Sequence, residues 1–125
     1  MYKIVRQDLG EDWLGTPDQV FNCAVQLNYG CVVVYRLFSS TDVLLYVGTT
    51  DSPDKRLRGH RQKPWWRDVA AVTLTEFSTR PEADAAEAHA IWTEDPVHNI
   101  AGKPGSGFEY RGYRRPPRAF PVRSR

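Results

Sequence analysis

The chain has 125 residues, 41% of them hydrophobic and 26% charged, with a formal net charge of +2. That length is enough for one domain with a modest core, and no apolar run is long enough to span a bilayer. The opening MYKIVRQDLGEDWLG lacks the apolar stretch of a secretory signal, and Cys23 and Cys31 alone make neither a disulfide framework nor a zinc site, so a reduced, cytoplasmic setting is expected.

Along the chain, 16-TPDQVFNCAVQLN-28 reads as a helix: Thr16 is a candidate N-cap, Pro17 suits the first turn, Gln19 completes a capping box, and the chain turns at Asn28–Gly30. The segments CVVVYRLF (31–38) and DVLLYVGT, starting near residue 43, are rich in β-branched and aromatic residues and read as strands. The intervening SSTD suits a hairpin loop. If that loop is symmetric, Phe38 faces Val43 and Tyr35 lies directly across from Tyr46, two phenols on one face of the hairpin. A one-residue slip would send one of them to the other face.

Ser52, Pro53 and Asp54 start a second helix that is expected to run to about Lys63 and stop at Pro64. On it, Arg56 and His60 are four apart and share a face. A third strand is expected over 68-DVAAVTLTEF-77 and a helix over 79–95, with Thr79 and Glu82 as a second capping box and Pro96 as its stop. Within that helix Glu87 falls on the apolar stripe of Ala83, Ala90 and Ile91. The pattern serves two readings equally: an exposed glutamate among small residues, or a carboxylate kept for a cation. Beyond Gly102 the Gly, Pro and Arg content describes an extended or disordered tail.

Charge is unevenly placed. Residues 55–67 hold six Lys/Arg and no acid, as do residues 111–125. The remaining five basic groups are set against all fifteen acids, so two basic blocks sit on an acidic body and point to a polyanionic partner. Trp65, Trp66 and Tyr113 among the arginines favour nucleic acid. Of the two tryptophans, one is expected to cover the core and the other to stack on a base or pack on Leu57.

Taken in order, Tyr35, Tyr46 followed by Val47-Gly48, Arg56, His60, Glu87 and Asn99 resemble the GIY-YIG nuclease family. Its two tripeptides correspond here to Val33-Val34-Tyr35 and Tyr46-Val47-Gly48, with Val33 departing from the usual glycine. The resemblance covers about residues 31–100 and implies an α/β fold of the α+β type: a small three-stranded antiparallel sheet flanked by helices, with the active site on one sheet face. It divides the chain into an N-terminal extension (1–30), a nuclease domain (31–102) and a basic tail (103–125).

The resemblance also implies a metal-dependent endonuclease acting on DNA, with RNA as a further substrate class. Glu87 would hold one Mg²⁺ or Mn²⁺, and Arg56 would hold the scissile phosphate. Tyr35 would be the leading group to activate water, although an ordinary phenol has a pKa near 10, roughly three units too high for a base at neutral pH. Tyr46 and His60 would orient water and phosphate, and Asn99 would brace the site. Lys55, Arg58, Arg61, Lys63, Trp65, Trp66, Arg114, Arg115 and Arg118 are the candidate nucleic-acid contacts. With no separate targeting domain in view, a homodimer or a partner protein is expected to help select the target. Residue by residue, simpler roles exist: cross-strand packing for the tyrosines, a turn for Gly48, loop hydrogen bonding for Asn99, and surface positions for His60, His89 and His98. The rival as a whole is a non-catalytic nucleic-acid-binding or adaptor module with this fold.

Overall fold

The computed structural model describes residues 13–22 and 31–104. The later part of the expected N-terminal helix, Cys23, and the arginine tail with Tyr113, Arg114, Arg115 and Arg118 lie outside the described residues. Among those described, the element order is β1 (Trp13–Gly15), α1 (Pro17–Asn22), β2 (Val32–Phe38), β3 (Leu44–Thr50), α2 (Pro53–His60), β4 (Ala71–Phe77) and α3 (Arg80–Glu94). The sheet is antiparallel with strand order β1-β4-β2-β3. It has four strands rather than the expected three, because Trp13–Gly15 adds a short strand beside β4. Three residues are too few for an alternation to be read from sequence.

Capping follows local chemistry. At α1 the Thr16 amide donates to Gln19 Oε1 at 2.8 Å and the Gln19 amide donates to Thr16 Oγ1 at 3.2 Å, a complete capping box. At α3 the Glu82 amide donates to Thr79 Oγ1, but the Glu82 carboxylate accepts from the Ser78 and Thr79 hydroxyls. Asp95, in the left-handed conformation at φ 53°, turns the chain out of α3 ahead of Pro96. The second helix stops earlier than expected, at His60, and Pro64 opens a 3₁₀ turn over Pro64–Asp68 instead of merely ending the helix. As a consequence β4 begins at Ala71, three residues after the expected start.

The hairpin register also differs. Tyr35 pairs with Gly48 and Leu37 with Tyr46, and a bulge between Leu37 and Phe38 shifts the pairing to Phe38 opposite Leu44. The loop is asymmetric: the Ser39 amide bonds the Val43 carbonyl, and Asp42 takes a left-handed conformation at φ 63°. The net displacement is two residues, so side-chain parity survives and both tyrosines still share a face.

Each face of the sheet has its own core. Trp13, Val20, Val33, Leu37, Leu57 and Leu74 pack on the face covered by α1 and α2. Val32, Val34, Val47, Phe77, Ala83 and Ala90 pack on the face covered by α3. Because β3 is an edge strand, the two layers meet at its rim. The chain after α3 closes that rim: the Val97 and His98 amides bond the Leu44 and Leu45 carbonyls.

Candidate active site

Gly48 lies inside β3, not at its exit, and its role is spatial. A Cβ there would overlap the ring and hydroxyl of Tyr35, its partner on β2. The missing side chain lets Tyr35 lie across the edge strand toward the rim. The Tyr35 hydroxyl meets two groups from α2: Arg56 Nε donates to it at 3.1 Å, and it sits 2.7 Å from His60 Nε2. Arg56 can only donate to that oxygen, which leaves one lone pair and the phenolic proton for His60. In the tautomer with its proton on Nδ1, His60 accepts the phenolic proton at Nε2.

Burial pushes the Tyr35 phenol above its ordinary value, against the pull of the Arg56 guanidinium. Burial, with help from Arg56 and Lys63, lowers His60 to about 4. Arg56 is held more firmly protonated, chiefly by Tyr35 and also by the Tyr46 phenol. The cluster thus holds a neutral imidazole, the neutral Tyr35 phenol and a fixed positive charge.

Tyr46 stacks on Tyr35 with ring centroids 6.1 Å apart and on Trp65 at 5.6 Å, and meets His60 edge-on at 4.7 Å. His98, expected to be an inconsequential surface residue, lies flat on Trp65 at 4.9 Å and 7°. That packing had no local signal, because it depends on the return of the chain along β3. Both Trp65 and Trp66 are half-buried and pack against the core, so neither stands clear as a base-stacking platform. Lys55, Arg56, Arg58, Arg61 and Lys63 are all exposed.

Across the rim, a cleft of about 510 Å³ is lined by Tyr46, Lys63, Glu87, His98 and Asn99, among others. Glu87 comes from α3, the layer on the other face of the sheet from α2. The candidate residues therefore do not share one sheet face, contrary to what the resemblance implied; Glu87 reaches the cleft around the β3 edge. Glu87 is half-buried and makes no hydrogen bond or ion pair among the described residues. Burial raises its pKa, Asp84 adds to the rise, and Arg80 and Arg56 oppose it. Asn99 uses both arms of its amide on one residue: its Oδ1 accepts from the Val47 amide at 2.9 Å and its Nδ2 donates to the Val47 carbonyl at 3.0 Å. It is a strut that holds β3 between Tyr46 and Gly48.

A scan against protein-family models matches the GIY-YIG catalytic domain over residues 31–99. The chain belongs to the GIY-YIG family. Comparison with curated proteins and with solved structures gives no match. Membership in the GIY-YIG family supports a nuclease-type function and a nucleic-acid substrate. Among the described residues no helix is long and apolar enough to cross a membrane.

GIY-YIG nucleases generally use a divalent metal, and the residues at the rim suit one of a particular kind. Among the described residues no three His, Cys, Asp or Glu side chains cluster as metal ligands. The Glu87 carboxylate, facing an open cleft, suits a hard ion that keeps most of its water.

Proposed function

We propose that this protein is a metal-dependent endonuclease that cuts DNA at the β3 rim. The observation that supports this reading best is Glu87: an unpartnered, half-buried carboxylate opening on the same cleft as Tyr46, with Arg56 near enough to lower its pKa.

In this reading Glu87 holds one Mg²⁺ or Mn²⁺, which when bound supplies Lewis-acid stabilisation of phosphate oxygens. Arg56, exposed and planar, turns to the scissile phosphate and offsets charge developing on it. That movement frees the Tyr35 oxygen, which Arg56 Nε otherwise occupies. Tyr35 then takes a proton from the attacking water while passing its own to His60 Nε2, already 2.7 Å away. No free phenolate is needed; His60, at about 4, is a weak acceptor, and the bound ion would have to make the water more acidic for the relay to run. Tyr35 is fully buried in the structure, so this relay depends on Arg56 moving. Tyr46 lines the cleft and orients the water, and Asn99 is a positioning residue acting through Val47.

Incubation with supercoiled plasmid tests the reading. The expected result is nicking that requires Mg²⁺ or Mn²⁺ and falls by about a hundredfold or more in Glu87→Ala, with DNA binding retained. Binding without metal-dependent nicking would establish the non-catalytic module instead.

A further inference from the structure

The face of α2 turned away from the cleft carries a feature that the cleavage reading does not use. Arg58 and Arg61 both lie over the ring of Phe21 on α1, with guanidinium carbons 4.8 and 5.4 Å from its centroid. Trp66 supports the same ring from a centroid distance of 6.3 Å. A pocket of about 330 Å³ opens among Pro17, Asp18, Phe21, Arg58, Arg61 and Trp66. Neither arginine has a carboxylate partner among the described residues. A guanidinium laid on an aromatic ring keeps its N–H edge free in the plane, the edge that pairs with phosphate.

We propose that Arg58 and Arg61, held on Phe21, form a second phosphate clamp that grips the nucleic-acid backbone outside the scissile position. This rests on the nuclease reading and adds where the substrate is held. Two residues along an α-helix are about 200° apart, so Arg58 faces away from Arg56. A helix with its side chains is about 10–12 Å across, and one strand of duplex advances about 3.4 Å per nucleotide. A phosphate clamped on that face is then a few nucleotides from the cut.

The path between the two sites crosses Gly59. It is inside the helix, exposed, and a Cβ added there would meet nothing within 4 Å. No packing demand accounts for a glycine in that place, whereas close approach of a ligand backbone does. Asp18, on the α1 wall of the pocket, opposes an anion and confines the phosphate to the arginine side.

Binding of full-length protein to a 20-base-pair duplex should be measured by fluorescence anisotropy over a range of salt, together with steady-state cleavage. Arg58→Ala/Arg61→Ala is expected to weaken binding about tenfold, to reduce the salt slope by about two, and to place the loss in KM rather than kcat. Arg58→Lys/Arg61→Lys should recover the slope but only part of the affinity, and Asp18→Asn should bind more tightly. Wild-type affinity and slope in the alanine variant would overturn the clamp. Full affinity in the lysine variant would reduce it to a general electrostatic field. Weaker binding by Asp18→Asn would make the occupant a base rather than a phosphate, and would equally overturn it. If the wild-type protein itself shows no duplex binding, the nuclease reading fails, which is a separate outcome.

Discussion

Tyr35 and Gly48 are one structural unit. A phenol reaching from an inner strand toward the rim must cross the edge strand, and only a residue without a side chain lets it pass. Gly48→Ala is expected to push the Tyr35 ring off His60, to destabilise the fold by about 1–3 kcal/mol through overpacking, and to lower cleavage about a hundredfold. Chemical denaturation and single-turnover cleavage read the two effects separately.

His60 gives a prediction whose sign follows from burial. Its folded pKa, about 4, lies below the ordinary histidine value of 6.5. Above pH 6.5 both folded and unfolded chains carry a neutral imidazole, and its contribution is fully present. As pH falls toward 4 the unfolded chain gains a proton that the folded chain refuses, and stability drops by roughly 1–3 kcal/mol. An NMR titration should find the His60 midpoint near 4, and His60→Gln should lose less stability than wild type between pH 6.5 and 4. A midpoint near 6.5 would show that burial does not keep the His60 imidazole from charging as pH falls, and would overturn the predicted pH dependence of stability.

Among the elements, those fixed by neighbouring residues were legible in the sequence. Thr16 with Gln19 and Thr79 with Glu82 identify their helix starts because a cap is made within four residues. The hairpin was legible as an element but not in register, since the bulge near Phe38 and the left-handed Asp42 are set by the loop's own hydrogen bonds. Parity survived the error only because the displacement was even. The short β1 and the stacking of His98 on Trp65 carried no local signal at all, since both are created by chain segments distant in sequence.

On α2 the legible feature was the shared face of Arg56 and His60; the opposite face with its stacked arginines required α1 to be in place. Gly59 now lends itself to measurement. An exposed glycine inside a helix costs roughly 0.5–1 kcal/mol relative to alanine. Gly59→Ala should therefore raise unfolding stability by about that amount while weakening duplex binding, because a methyl group would stand where the backbone approaches. A variant that is more stable and binds equally well would leave Gly59 without a functional role.

For the whole molecule, the candidate site depends on two layers on opposite faces of one sheet meeting around the β3 edge, part of which the chain after α3 covers. α2 brings the guanidinium and imidazole, β2 and β3 bring the phenols, and α3 brings the carboxylate. Sequence order nominated these residues but not that geometry, since nothing local states which strand is the edge. The arrangement places Glu87 where it works against the fold. Its carboxyl has a raised pKa through burial, so the stability it contributes when protonated is lost as pH rises from the ordinary carboxylate range through that raised value. Glu87→Gln should thus be more stable than wild type at neutral pH, with the difference shrinking on acidification. Millimolar Mg²⁺ should raise the wild-type melting temperature and leave Glu87→Gln unmoved, because an ion that binds only the folded state stabilises it by mass action. Thermal denaturation of both proteins with Mg²⁺ and with EDTA separates the cases. Equal shifts in the two proteins would place the ion elsewhere and leave the buried charge at Glu87 without a function.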